Sequence, residues 1–190
     1  DEAELNGWIV KSLRPTLLNK GVKTQSRGSF SVEEYRTIYT ALRSYHKQTP
    51  NEKSAATRET LRNYVLFLAN TGVRHGTEAL GLKWRNIEWY ERDGERYLAI
   101  NVDGKTNKRT AIARDSVENS LWRQAQLNPR IGAVDFDSLI AAKSDEPVFT
   151  TRLSETATVH NLNRAFNALL AELDLKTGAD GRTRTLYSLR

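Results

Sequence analysis

The chain has 190 residues, enough to bury the core of one domain, and 38% of them are hydrophobic and 27% charged, an ordinary globular balance. It contains no cysteine, which excludes disulfides and thiolate metal sites, and no apolar run near the ~20 residues that a membrane-spanning helix needs. Lys and Arg number 29 against 23 Asp and Glu, a net charge of +6 that attracts polyanions, nucleic acid first among them.

Residues 1–27 carry Gly7, Pro15, Gly21 and scattered basic residues with weak periodicity, and read as a tether with one short helix around Leu13–Leu18. Order is expected to begin at Ser31. Ser31-Val-Glu-Glu34 is a capping box, in which a hydroxyl and a carboxylate satisfy the orphan amides of a first turn. Val32, Tyr35, Ile38, Tyr39, Leu42 and Tyr45 follow at helical spacing until Pro50 and Asn51 break it. A second helix is predicted over Thr57–Thr71, with Leu61, Tyr64, Val65 and Leu68 as its apolar stripe and Gly72 as its C-terminal cap. A short third helix covers Gly76–Lys83.

Ile87–Glu91, Arg96–Val102 and Arg109–Ala113 then read as strands. Asp93-Gly94 is a tight-turn signal and Asp103-Gly104 starts a second turn, so the three form an antiparallel meander. Asp115–Leu127 returns to helix with Val117, Leu121 and Ala125 inside, and Pro129 and Gly132 end it. A brief helix at Phe136–Ala142 and an extended Pro147–Phe149 follow. Thr156–Leu173 is amphipathic, with Val159, Leu162, Phe166, Leu169, Leu170 and Leu173 on one face. Residues 174–185 form a polar, partly basic loop, and Leu186–Arg190 reads as a first helical turn. The fold class is therefore α+β, mostly helical, with a small three-stranded antiparallel sheet. Trp84, Trp89 and Trp122 are expected to fill core gaps, and His46 and His160 to lie at the surface.

Three places have residues suited to a phosphate. Arg74 follows a helix stop and precedes a helix, where amides and dipole favour an anion and a planar fork can donate two parallel hydrogen bonds; taken without its surroundings, it is better suited to a surface pair with Glu78 one turn on. Lys105, beside Lys108 and Arg109 in a turn between strands, can reach a backbone phosphate or protonate a leaving alkoxide, or it can be a solvated hairpin tip. Tyr187 and Arg190 share a helical face, as a phosphate-binding pair or as a surface pair. His75 and Glu78 have no third partner in view, so no metal site is expected. No P-loop and no Ser-His-Asp order is present.

Taken in order, these segments resemble the tyrosine recombinase (phage integrase) family. Thr71-Gly-Val-Arg74, leading through Glu78-Ala-Leu-Gly-Leu to Lys83-Trp84, is similar to its first arginine box. Gly104-Lys105-Thr-Asn-Lys-Arg109 resembles its catalytic-lysine hairpin. Tyr187-Ser-Leu-Arg190 resembles the start of its second arginine box, with Tyr187 where a histidine is usual. Arg27-Gly-Ser-Phe-Ser-Val-Glu-Glu-Tyr35 resembles the opening of its catalytic domain, so the resemblance covers residues 27–190. Glu78 stands one residue further from Arg74 than in the common Arg-x-x-Glu form.

The resemblance implies a catalytic domain over 28–190 that is incomplete at its C-terminal end, and a linker over 1–27 from an N-terminal DNA-binding domain. It implies DNA strand cleavage and rejoining through a 3′-phosphotyrosyl intermediate, in a phage or mobile-element enzyme of a bacterial cytoplasm. Arg74 and Arg190 would clamp the non-bridging oxygens, Lys105 would protonate the departing 5′ oxygen, and Tyr187 would stand in the histidine's place. Lys108, Arg109, Arg182 and Arg184 would contact DNA. The nucleophilic tyrosine would follow Arg190, so none of these residues is the nucleophile. Double-stranded DNA is the expected partner, bound by a tetramer, with no metal or cofactor. The alternative is a basic DNA-binding module that cuts nothing.

Overall fold

The computed structural model describes residues 6–7, 28–104, 108–151 and 155–189, with side chains from 158 onward in the last stretch. The short helix expected at Leu13–Leu18, and nearly all of the expected tether, lie outside the described residues.

Helix α1, Val32–Leu42, starts on the capping box: Ser31 Oγ accepts from the Glu34 amide at 3.2 Å, and Glu34 Oε2 accepts from the Ser31 amide at 2.7 Å. The helix stops one turn before the apolar spacing does. Tyr45 is buried instead by a 3₁₀ turn, Tyr45–Gln48, with the Arg58 guanidinium 4.0 Å over its ring.

Helix α2, Glu52–Thr71, is the central element. It begins five residues before the expected Thr57, because Asn51 caps it: Asn51 Oδ1 accepts from the Ser54 amide at 3.0 Å. An asparagine after a proline reads as a breaker in sequence, yet the same side chain that ends one helix can start another. Leu61, Tyr64, Val65 and Leu68 are buried as expected, and so are Asn63 and Phe67, because neighbours cover α2 on more than one side. Gly72 ends it, its amide donating to Leu68 O at 3.2 Å.

Helix α3, Thr77–Leu80, is half the expected length. The chain cannot stay helical through Lys83 because residues 146–148 pull it straight: Trp84 N–H donates to Glu146 O at 3.2 Å, and Val148 N–H to Leu82 O at 2.9 Å. Lys83 and Pro147 form the resulting antiparallel bridge.

Strands β1, Ile87–Arg92, β2, Glu95–Asp103, and β3, Lys108–Ile112, make the predicted meander in the order β1-β2-β3. The first hairpin closes on Asp93 (φ 54°) and Gly94 (φ 80°), both left-handed, as a two-residue turn with the strands' own twist requires. The register pairs Ile87 with Ile100 and Trp89 with Leu98 on the core side, and Tyr90 with Tyr97 on the exposed side. Helices α4, Ser116–Gln126, and α5, Phe136–Ala141, follow. Helix α6, Glu155–Glu172, buries Leu162, Phe166, Leu169 and Leu170 as its spacing predicts. Trp84 is fully buried at the centre, whereas Trp89 and Trp122 only flank the core; Trp89 Nε1 donates to Asp137 at 2.8 Å, and Arg96 stacks 3.9 Å over its ring.

The loop after α6 returns to α1. Arg184 is buried (5% exposed), and its fork meets Glu34 at 2.8 Å and 2.9 Å, one nitrogen on each carboxylate oxygen. Glu34 thus serves the α1 cap and this clamp at once, and Ser31's amide together with Arg184 holds its carboxyl below the ordinary range in spite of partial burial. Removing the guanidinium leaves a partly buried carboxylate without its main counter-charge. Arg184→Ala is therefore expected to cost about 2–3 kcal/mol of stability, measured by urea unfolding, and Arg184→Lys to recover only part of it, because a point charge cannot make both bonds. An Arg184→Ala protein as stable as the wild type would show that the clamp carries no stability.

Candidate functional site

The chain between α2 and α3 crosses from one helix to the next in five residues, Gly72–Gly76, and other parts of the structure gather around this crossing. Glu78 sits at its centre with a side chain 2% exposed. Its Oε2 accepts from the Arg74 amide at 2.9 Å and from Arg109 Nη2 at 2.9 Å, and its Oε1 accepts from Arg74 Nη1 at 3.3 Å. Burial by itself pushes the Glu78 carboxyl up, but the Arg74 amide and the Arg109 and Arg74 charges outweigh it, and the carboxyl ends below its ordinary value.

Arg109 also donates to Gly72 O at 3.3 Å. The β2–β3 register sets Val102 opposite Arg109 and Asp103 opposite Lys108, so Arg109 stands at the turn end of that hairpin. The turn end of the hairpin is therefore seated on the crossing that carries Arg74. Lys105, in the turn itself, lies outside the described residues, as does Arg190.

A third stretch arrives from the far end of the chain. In the 3₁₀ turn Leu186–Leu189, Leu186 and Leu189 are buried and Tyr187 is 44% exposed. Its ring meets the His75 ring edge-on, centroids 4.8 Å apart at 83°. Gly76 makes the contact possible: a Cβ there would lie 3.0 Å from the Tyr187 hydroxyl, and its φ of 93° is one that side-chain-bearing residues rarely adopt. His75 itself is buried, with Nδ1 2.8 Å from the Tyr64 hydroxyl. Burial raises the Tyr64 phenol well above its ordinary range against the opposing Gly76 backbone bond, so Tyr64 stays protonated. Tyr64 and His75 thus share a buried hydrogen bond, and the tautomer of the imidazole decides which of the two donates it.

The residues singled out in sequence thus fall into groups. Arg74, Arg109 and Tyr187 come together around the crossing. Arg74 pairs with Glu78, and its side chain is 51% exposed. Lys108 is 90% exposed and only 3.8 Å from Asp103 Oδ1, a surface pair of little energetic weight. Arg182 is half-exposed on the 177–183 loop, 3.6 Å from Asp180. Arg184 needs correction as a DNA contact: its guanidinium is buried against Glu34 and Phe30, where no phosphate can reach it. His160 is exposed as expected, while His46 is half-buried 3.0 Å from Glu59. Among the described residues no three His, Asp or Glu side chains are grouped to hold a metal ion.

Two features were not legible in the sequence. The three-donor role of Glu78 had one signal, a carboxylate directly ahead of the apolar run Ala79-Leu80-Gly-Leu82. The Tyr64–His75 bond had none, since Tyr64 reads as one more member of a core stripe. Comparison of the chain with protein-family models, curated proteins and solved structures finds no match in any of the three.

The lowered Glu78 carboxyl sets a pH dependence. Its unfolded form binds a proton more readily than its folded form, so its contribution to stability is complete above the ordinary value of 4.5 and is lost as pH falls through the depressed folded value. Glu78→Gln is expected to cost about 1–3 kcal/mol at pH 7, and the gap to the wild type to close progressively below pH ~4.5. Urea midpoints of both proteins between pH 7 and pH 3 measure it; a gap that does not change with pH would assign the cost to shape and not to charge.

Proposed function

We propose that this chain is the strand-cleaving domain of a tyrosine-type DNA recombinase of a phage or mobile element, acting on double-stranded DNA as a tetramer in a bacterial cytoplasm. The observation that carries the reading is the meeting of three stretches far apart in sequence: the Arg74 crossing, Arg109 near the turn end of the Lys105 hairpin and the turn of Tyr187. Phosphoryl transfer asks a protein chiefly for positioned positive charge, and a rigid half-exposed guanidinium supplies it.

In this reading Arg74 keeps one edge on Glu78 and turns its free donors to the non-bridging oxygens of a DNA phosphodiester, with Arg190 opposite. A tyrosine beyond Arg190 attacks phosphorus. The phosphorus–5′ oxygen bond breaks, Lys105 gives its proton to the departing oxygen, and a 3′-phosphotyrosyl link stores the bond energy for rejoining, with no cofactor. Tyr187, held by His75, hydrogen-bonds a phosphate oxygen. Lys108, Arg109 and Arg182 hold the backbone alongside.

One observation favours the other reading, a DNA-binding module without cleavage. Glu78 takes up both Arg74 and Arg109, which lessens the charge each can offer. The two are separated in a chain that extends past Arg190 to the tyrosine. Arg74→Ala is expected to slow single-turnover cleavage at saturating DNA by about 10²–10³ while affinity falls much less, because many Lys and Arg share the binding. Lys108→Ala is expected to weaken binding and flatten its salt dependence with a smaller effect on cleavage. Normal cleavage by Arg74→Ala would reduce Arg74 to an anchor and leave the binding module as the better account.

A further expectation concerns residues 1–190 alone. They should form no covalent adduct with nicked or suicide duplexes on a denaturing gel, and an adduct mapped to Tyr187 would move the nucleophile into this chain and overturn the proposed site.

A further inference from the structure

Arg123, on α4, has a half-buried guanidinium, and among the described residues no carboxylate lies within ion-pair distance of it. Its partners are neutral: Nε donates to Asn63 Oδ1 at 3.3 Å and Nη2 to Ser120 Oγ at 3.4 Å. A charge drawn out of water without a counter-ion is disfavoured unless something else compensates. The neighbourhood adds positive charge. Arg43 Nη2 donates to the Tyr39 hydroxyl at 2.7 Å, and Arg62 lies on the adjoining face of α2 with its Nε buried and no hydrogen-bond partner among the described residues. The nearby carboxylate, Glu59, is already divided between Arg62 at 3.3 Å and His46 at 3.0 Å.

Arg123 lines a cleft of about 320 Å³ between α1, α2 and α4, together with Tyr39, Asn70, Ser116, Asn119 and Ser120 among others. Ser116, Asn119, Ser120 and Arg123 recur at helical spacing and form one face of α4. The acids at the start of α4, Asp115 and Glu118, face a different hollow with Trp89 and Arg96, so helix geometry keeps them off the cleft wall. The α4 wall offers hydroxyls, an amide and a guanidinium, while Leu66 and the Tyr35 and Tyr39 rings make the opposite side largely apolar. The local field is felt inside: the Tyr39 phenol lies below its ordinary value, first through the Arg43 hydrogen bond and against partial burial, with the Arg62 and Arg123 charges adding.

We infer that the cleft between α1, α2 and α4 is a phosphate-binding site, with Arg123 as its charged ligand, Arg43 adding charge from its place on the lining Tyr39, and Ser116 and Asn119 as neutral donors. Ser120 and Asn63 hold the Arg123 fork in place. A planar fork flanked by small donors suits a tetrahedral oxyanion, and the excess of cations over carboxylates supplies the attraction. The site uses none of Arg74, Lys105 or Arg190, so it stands or falls apart from the recombinase reading. The phosphate can belong to a nucleic-acid backbone or to a free phosphorylated compound.

The test is a titration of the ¹⁵N-labelled protein with inorganic phosphate at ionic strength held constant with chloride. Saturable shifts are expected at the amides of Asn70, Ser116, Asn119 and Ser120. Binding should be about tenfold or more weaker in Arg123→Gln and in Arg43→Gln, the latter at an exposed position where the fold is not at stake. Displacement of phosphate from the cleft by a 20-bp duplex would assign the site to a DNA backbone, and displacement by a 5′-mononucleotide alone would assign it to a free ligand; both support it. Shifts no larger than chloride produces, or affinity unchanged in both variants, would overturn it, whatever the Arg74→Ala cleavage assay returns.

Discussion

The candidate site depends on one buried carboxylate. Glu78 is almost wholly removed from water, and a carboxylate in that position is tolerated only if its lone pairs are filled. Three donors fill them, and each belongs to something that must be positioned: the backbone of the crossing, the side chain of Arg74 and the turn end of the β2–β3 hairpin. The electrostatic outcome matters as much as the geometry. Two guanidiniums meet one carboxylate, so the cluster retains a unit of positive charge, and both Arg74 and Arg109 remain partly open to solvent. An anchor of this kind orders a cation without discharging it, which is the condition a preorganised anion site needs.

The other side of the site rests on packing. Gly76 admits the Tyr187 ring, His75 gives it an edge to lie on, and Tyr64 fixes His75 from within α2. The polypeptide reaching Tyr187 is itself secured by the Arg184–Glu34 clamp, whose partners are 150 residues apart. A local perturbation at the α1 cap thus bears on the placement of Tyr187 through the loop that joins them.

The net charge of +6 is not spread evenly in its effect. Arg184 is spent on internal structure and Arg109 is shared between structure and surface. Arg43, Arg62 and Arg123 concentrate on another side of α2 with one carboxylate near them. The proposed strand-cleaving site and the inferred phosphate cleft use separate sets of these cations, and Lys108 supplies the exposed charge that long-range attraction needs.

Much of the fold is legible in the sequence because its signals are local. The Ser31 capping box, the Asp93-Gly94 turn and the stripe of α6 each state their structure within a few residues, and each is realised. The misplaced boundaries differ in origin: Asn51 is a local ambiguity, a stop that acts as a start, whereas α3 ends early because a segment distant in sequence, 146–148, outcompetes it. The pairing of charges is of another kind. Nothing near Arg184 distinguishes it from Arg182, and nothing near Glu78 announces Arg109. By itself the sequence determined which segments form helices, strands and turns, apart from boundaries such as the end of α3, and which residue types are available, since those depend on spacing along one chain. The tertiary structure alone decided which arginine is buried and which faces solvent, because an ion pair is settled by which distant segments meet and how much water they exclude.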